Sequence, residues 1–281
     1  MKLSIFTTAT NPSSRGDLEQ PAMKCYTELA DEIVYVDGSG DLPNDNITKH
    51  NETTHGYRTD LKELHYKWPK EFSWEFIGQQ FQRGYEACTG DWVIHADLDF
   101  IFHERDYRAI RMACENNPDA PALSFWKFQF ILPDRYNLKS RLVVAVNKKK
   151  YGDRIRFDSG GDLCQPSLDD QYIKPSDVPE AGIPIYNYEK IIKTETQIKD
   201  DVERMARAWT RHFGDTHLGT DETAYEEWLR MSVGRFSKPT KRIKLSDHPK
   251  VMQETIKNLT VDQWGYSGHG LLEENKYVQS M

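Results

Sequence analysis

The stretch Gly90-Asp91-Trp92-Val93-Ile94-His95-Ala96-Asp97-Leu98-Asp99-Phe100-Ile101-Phe102-His103-Glu104 decides how this chain folds. Its Gly-Asp turn releases a short apolar run, Trp92, Val93, Ile94 and Ala96, which reads as a buried strand. The strand delivers the backbone to Asp97 and Asp99, one residue apart, with His95 and His103 on either side. Ligands of open α/β sheets bind just beyond the carboxyl ends of strands. Two carboxylates there can hold a divalent ion that bridges to phosphate oxygens. The plain alternative is that one Asp caps the next helix and the other makes a turn, so the weight falls on what surrounds the pair.

Upstream, residues 3–8 (Leu-Ser-Ile-Phe-Thr-Thr) form a β-rich run followed by the small polar loop 9–14, whose hydroxyls and N–H groups suit a ligand. The pattern predicts a helix over 17–30, with Met23, Tyr26, Thr27 and Ala30 on one face and Pro21 near its first turn. A second strand over 33–36 ends in Asp37-Gly38-Ser39-Gly40-Asp41. Strand, loop, helix and strand in this order predict a parallel βαβ unit with its ligand-facing loops on one edge. Asp37 then sits at a strand end, where a carboxylate holds a ribose hydroxyl or base edge, or simply makes a turn. The polar segment 43–69 reads as surface with one helix near 60–66. After it Ser73 is the N-cap of a helix whose Trp74, Ile77, Phe81, Tyr85 and Cys88 form an apolar stripe, with Gln79, Gln82, Arg83 and Glu86 opposite.

Downstream, 105–115 is an amphipathic helix closed by Asn116-Asn117-Pro118. Residues 122–132 form a strand whose apolar face is Trp126, Phe128 and Phe130, and 142–146 form a further strand paired with it. Short strands follow at 183–186 and 243–249, the latter reaching His248 before a Pro-initiated helix. Helices are predicted at 193–209 and 222–231. Two basic stretches, 135–156 and 235–244, would make one anion-binding surface if the fold brings them together. The turn Phe157-Asp158-Ser159-Gly160-Gly161-Asp162 is of the kind that lines a site.

With 281 residues, 38% hydrophobic and 29% charged, the composition is that of a soluble globular protein. No apolar run is long enough to cross a bilayer or to serve as a signal-peptide core, so no membrane partner is expected. The four scattered cysteines, Cys25, Cys88, Cys114 and Cys164, read as free thiols in a reducing cytoplasm. A net charge of -7 argues against a general nucleic-acid coat protein. Residues 1–130 read as a nucleotide-binding α/β part and 131–281 as an acceptor-side part continuous with it.

Several pieces together resemble a GT-A fold glycosyltransferase of the family-2 type found in phages and bacteria. They are Ile5-Phe6-Thr7-Thr8-Ala9-Thr10-Asn11-Pro12, the strand end Val36-Asp37-Gly38, and Gly84-Tyr85-Glu86-Ala87-Cys88-Thr89-Gly90-Asp91-Trp92 leading to Asp97-Leu98-Asp99. Ile183-Pro184-Ile185-Tyr186-Asn187-Tyr188 and His248-Pro249 fit the same pattern. The resemblance implies a Rossmann-like, mostly parallel central sheet flanked by helices, with a C-terminal helical, acceptor-side region. It implies transfer of a sugar from a nucleotide-sugar donor, a UDP-sugar, to an acceptor hydroxyl with Mn2+ or Mg2+ as cofactor. By that analogy Thr7, Thr8 and Asp37 hold the nucleoside, Asp97 contacts the ribose or the metal, Asp99 binds the metal, and His248 is a further ligand. Arg83 or the Lys241–Arg242 pair would face the charge left on the departing phosphate. Asp162, with Asp158 behind it, is the expected base for the acceptor's proton. Modified DNA is one acceptor that the phage-like resemblance raises.

Two other readings compete. His95, Asp97 and His248 have the residue types of a non-haem Fe(II)/2-oxoglutarate facial triad, although that needs a jelly roll and this chain alternates strands with helices. The other is a non-catalytic nucleotide or nucleic-acid binding protein that uses the basic stretches.

Overall fold

The computed structural model describes residues 1–40, 46–54, 57–71, 73–158, 165–189, 191–236 and 240–267. The first half runs β1 (Leu3–Ala9), α1 (Pro12–Arg15), α2 (Glu19–Leu29), β2 (Glu32–Asp37), β3 (Asn46–Thr54), β4 (Tyr57–His65), α3 (Trp74–Ala87), β5 (Trp92–His95), β6 (Phe100–Ile101) and α4 (Tyr107–Asn116). The second runs β7 (Ala122–Leu132), β8 (Arg135–Val146), α5 (Lys148–Tyr151), β9 (Ile155–Arg156), β10 (Ser167–Leu168), β11 (Gln171–Tyr172), β12 (Glu180–Asn187), α6 (Glu195–Phe213), α7 (Ala224–Phe236), β13 (Lys241–Arg242), α8 (Lys250–Lys257) and α9 (Trp264–Ser267).

One large sheet has the order β3-β4-β2-β1-β5-β8-β7-β12-β6, with β13 on β8. Strands β4, β2, β1 and β5 are adjacent and parallel. β8 reverses direction, and β7 and β12 return to the common sense, so the sheet is mixed with most strands pointing one way. Strands from both halves of the chain enter it. Both faces of the parallel block are covered, as alternation requires of a strand apolar on both sides. Ile5, Ile33 and Ile94 join Ala22, Cys25 and Leu29 in one core. Phe6, Val34 and Val93 join Phe81, Tyr85 and Cys88 in the other.

The helix expected at 60–66 is instead β4. It pairs residue for residue with β2 from Glu32↔Asp60 to Asp37↔His65. Its buried positions, Thr59, Leu61 and His65, are too few and too polar to betray a period of two. Irregularities in the β7–β8 register also shift the faces of β7. Phe125 and Phe130 are buried, while Trp126 and Phe128 are half-buried. The strand expected over 243–249 is not formed: β13 lies just before it, pairing Lys241 and Arg242 with β8, and a 3-10 turn occupies Leu245–Asp247.

Ser73 caps α3 as expected, accepting from the Phe76 N–H at 3.2 Å. At its other end Lys148 Nζ donates to the carbonyls of Tyr85 (2.7 Å), Glu86 (3.0 Å) and Cys88 (2.7 Å). A cation there complements the helix dipole and the unpaired last carbonyls. Lys148→Met is expected to cost about 1–2 kcal/mol in urea unfolding.

Candidate active site

β1, β2 and β5 end side by side, and the acid pair leaves the sheet at that edge. Pairing continues one residue past β5, where the Ala96 N–H donates to Phe6 O at 3.0 Å. The backbone then turns, with Phe100 N–H donating to Asp97 O at 2.8 Å. The buried Tyr26 hydroxyl of α2 pins this turn, reaching Asp97 O at 2.5 Å and Phe100 O at 2.9 Å. β6 next pairs antiparallel with the end of β12, so Asn187 Nδ2 donates to Asp99 Oδ2 at 2.9 Å and Tyr188 N–H to Asp99 O at 3.1 Å. Both carboxylates are therefore set by backbone that belongs to other elements.

Their electrostatics diverge. Burial pushes the Asp99 carboxyl up to about 7, aided by the like charges of Asp97 and Glu189. Burial would also raise Asp97, but the cationic neighbours outweigh it together, His95 first, with its Nε2 3.2 Å from Asp97 Oδ1, then Lys127 and Arg15, and they hold that carboxyl below its ordinary value. The His95 ring is fixed between Phe6 (4.9 Å) and Phe81 (4.1 Å). Asp99 Oδ1 is buried and meets no hydrogen-bond partner among the described residues. Two close carboxylates with one oxygen orphaned form a site short of positive charge.

The pair floors a cleft of about 300 Å3 whose other walls include Thr8, Arg15, Trp68 and Glu189. Arg15 lies at the end of α1. Its buried Nε is 3.6 Å from Asp17 and makes no hydrogen bond among the described residues, and its Nη2 is 3.5 Å from Asp201. Lys193, 4% exposed, bonds both Asp17 and Asp201 at 2.7 Å, which ties α6 to the loop after β1. Trp68 lies against Gly38, where an added Cβ would fall 2.0 Å from the indole, so only glycine admits the ring. Glu189 lies two residues beyond β12 with a positive φ of 26°, and Gln129 Nε2 donates to its carboxylate at 2.5 Å. A non-glycine residue in that region is strained and persists where its surroundings over-determine it.

The cleft is one segment of a trough. A cavity of about 760 Å3 contains Asp37, Ser39, Tyr35 and Glu63. It shares Asn11 and Ser14 with a second cavity of about 350 Å3, which shares Arg15, Trp68 and Asp201 with the acid-pair cleft.

Of the residues singled out in the sequence, Thr8, Asp97 and Asp99 share the cleft, and Asp37 lies at the far end of the trough, in the cavity of about 760 Å3, accepting from Ser39 N–H at 2.8 Å. Thr7 faces the other way, fully buried. Arg83 lies over the Tyr66 ring at 3.6 Å. Asp158 is held by Arg156 through two bonds of 2.9 and 2.7 Å, and Asp162 lies outside the described residues.

His248, expected as a metal ligand, belongs to the core instead. It is fully buried, with Nδ1 bonded to the Tyr188 hydroxyl and Nε2 to Pro133 O, both at 2.8 Å, so neither ring nitrogen is left for a metal. Burial pulls it down to about 4. Among the described residues no three His, Cys, Asp or Glu side chains form a metal-ligand group, so the His95, Asp97 and His248 triad is not assembled. Nor is the sheet a jelly roll.

β13 does bring Lys241 and Arg242 beside Arg135 and Tyr136, joining the two basic stretches at one end of β8. Most of the first stretch is nonetheless neutralised locally, by the pairs Arg135–Asp134, Arg141–Glu180, Lys149–Asp91, Lys150–Asp119, Arg154–Asp169 and Arg156–Asp158. Arg15, Glu189, Lys193 and Asp201 were not singled out. For Glu189 a signal existed, because it is an acid just past the predicted strand 183–186; in the structure it stands two residues beyond β12, as Asp97 stands two beyond β5.

No protein-family model matches the sequence, and no curated protein matches it. Among solved structures, the fold is similar to that of S. aureus TarS 1-349 in complex with UDP, at 11% identity and a TM-score of 0.37, over 100% of this chain and 91% of that one. It is also similar to the bifunctional IspDF from Campylobacter jejuni, at 11% identity and a TM-score of 0.33, over 73% of this chain and 54% of that one. The chain thus spans about half the length of that bifunctional protein. Among the described residues no helix is long and apolar enough to cross a membrane.

Proposed function

We propose that this chain is a metal-dependent glycosyltransferase of the GT-A kind, taking a nucleotide-sugar donor. The observation that carries the reading is Asp99, a half-buried carboxylate whose buried Oδ1 has no hydrogen-bond partner among the described residues, beside a second carboxylate at the floor of a cleft walled by Arg15. That donor set fits a hard divalent cation, Mn2+ or Mg2+, held by Asp97 and Asp99 with phosphate oxygens and water as the remaining ligands. When bound, the ion supplies Lewis-acid neutralisation of the donor's diphosphate.

The trough supports the same order of parts. Asp37 and its cavity suit the nucleoside, Arg15 suits the diphosphate, and the acid pair marks the reacting centre. In the transfer, the acceptor hydroxyl oxygen bonds to the anomeric carbon of the sugar. The bond from that carbon to the phosphate oxygen breaks, and its electron pair leaves on the nucleoside diphosphate. The acceptor's proton passes to a carboxylate within hydrogen-bond reach. Glu189, positioned by Gln129 at the end of this cleft, is the group we assign to it. Glu189→Gln is expected to lower kcat about a hundredfold, measured as nucleotide release in the presence of acceptor.

The test is calorimetric titration of UDP with and without Mn2+, followed by a screen of nucleotide sugars for slow metal-dependent hydrolysis. UDP affinity should rise with Mn2+ in the wild type and lose that dependence in Asp97→Asn and Asp99→Asn. Metal-indifferent UDP binding, equal in all three proteins, would overturn the reading. A DNA acceptor has less support, since the cations of 149–156 are paired with neighbouring acids.

A further inference from the structure

Beyond Glu189 and Met205 lies another cavity, of about 310 Å3, between α6 and α7. It shares Arg15, Glu189, Asp201 and Met205 with the acid-pair cleft, so the two are continuous. Its remaining wall is largely apolar, built from Val202, Leu218, Ala224, Trp228 and Met231, with Arg204 as the added cation.

Trp228 departs from that apolar character. Its ring is 5% exposed, yet the buried Nε1 meets no hydrogen-bond partner among the described residues. One turn on, on the same helix face, Ser232 is 1% exposed and its Oγ is likewise without a partner. The indole cannot turn its N–H to water, because it is stacked on Tyr225 (6.0 Å, 18°) and meets the Trp264 ring edge-on (5.6 Å, 69°). A buried donor held unpaired by its own packing is costly, and an oxygen supplied by a ligand would satisfy it. Burial, and then the like charge of Arg15, hold the Arg204 guanidinium below its ordinary range although its Nη2 already donates to Asp201, and a second anion beside it would offset them further.

We propose that this cavity receives the acceptor, and that the acceptor is a small hydroxyl compound with a flat apolar ring and an anionic substituent. The ring lies among Val202, Met205 and Met231, an oxygen of the acceptor accepts the Trp228 N–H, and the anion meets Arg204. The reacting hydroxyl reaches Glu189 at the junction of the two cavities. That hydroxyl oxygen bonds to the anomeric carbon, its proton goes to Glu189, and the nucleoside diphosphate leaves with the electron pair of the broken bond. The apolar side of the wall, Val202, Leu218, Ala224 and Met231, favours a flat ring over a free sugar. A duplex would have to extrude a single base to enter about 310 Å3.

This inference rests on the glycosyltransferase reading, and the experiment separates the two. 4-Hydroxybenzoate is titrated calorimetrically into the full chain with UDP and Mn2+ present, and UDP is titrated separately. The wild type should bind the aromatic acid, and uncharged 4-hydroxybenzyl alcohol about tenfold more weakly. Trp228→Phe, which keeps the ring packing, should bind the acid about tenfold more weakly, and Leu218→Trp, which fills the cavity, should not bind it. Unchanged UDP affinity in both variants reports an intact fold. Equal binding of 4-hydroxybenzoate by wild type and Leu218→Trp overturns the proposal. So does a wild type that ignores the acid but binds a hydroxymethylated DNA duplex. Equal affinity for the acid and the alcohol removes the anion from it. Failure of UDP to bind, with the aromatic acid still bound in the cavity, sinks the nucleotide-sugar reading alone.

Discussion

Replacing Asp99 by Asn is expected to cut sugar transfer about a thousandfold and, in the same protein, to raise the melting temperature by a few degrees at pH 8. The activity loss follows from removing a charge that would hold the cation against the donor's diphosphate, an electrostatic contribution of the largest kind in such sites. The gain in stability follows from what that charge costs the folded chain. The Asp99 carboxyl is pushed from 3.8 up to about 7, by burial first and then by Asp97 and Glu189. A carboxyl raised on folding binds its proton more tightly in the native state than in the unfolded one. Its ionisation therefore subtracts stability as pH rises from about 4 through about 7, and the full cost is felt above that window. Asn removes it, so calorimetric scans should show wild type and variant converging at pH 4 and separating at pH 8. Adding Mn2+ and UDP should stabilise the wild type and leave the variant where it was. A variant that keeps activity within tenfold, or melts lower than wild type at pH 8, would remove Asp99 from the centre of the site.

The second large effect lies at the opposite edge of the same strands. Glu32 is 1% exposed, and it accepts from Ser4 Oγ (2.5 Å), Lys62 Nζ (2.5 Å), Thr89 N (2.6 Å) and Thr89 Oγ1 (2.9 Å). Burial by itself would raise this carboxyl, but Lys62, Ser4 and Thr89 together bring it from 4.5 down to about 2. A depressed carboxyl stabilises the fold above its unfolded value, and that stability is lost as pH falls through the folded value. The interval corresponds to about 3 kcal/mol. Glu32→Gln should therefore lose about 3 kcal/mol in urea unfolding at pH 7, because it strips the charge from a buried pair and leaves Lys62 uncompensated. The difference from wild type should shrink as pH is lowered from 4.5 towards 2. A difference that stays constant over that range would mean that packing, not charge, holds the site. The two acids make a contrast: the one at the site edge is destabilised by its neighbours, and the one at the other edge is stabilised by them.

Much of the fold was legible where periodicity is strong. The stripe from Trp74 to Cys88, the run from Trp92 to Ala96 and the β1–α2–β2 opening all became the elements their patterns predict. The segment 60–66 reads as a helix yet forms β4, because a strand in the parallel block draws its order from the β2 backbone beside it, a partner that local propensity does not contain. In the candidate site, the placement of Asp97 and Asp99 just past a strand end is legible because their strand and their spacing lie within one short stretch. His248 misled for a related reason. A His beside a helix-starting Pro looks the same in sequence whether its nitrogens face a metal or, as here, Tyr188 and Pro133.

Local sequence is enough to give the parallel opening and the acid pair at the end of β5, because each depends on residues near one another in the chain. It takes the folded chain to bring Arg15, Lys193 and Asp201 together, to set Glu189 between two cavities, and to leave the Trp228 N–H without a partner among the described residues. Burial and charge pairing depend on which distant segments fold against each other. A side chain's spacing along the chain does not record them.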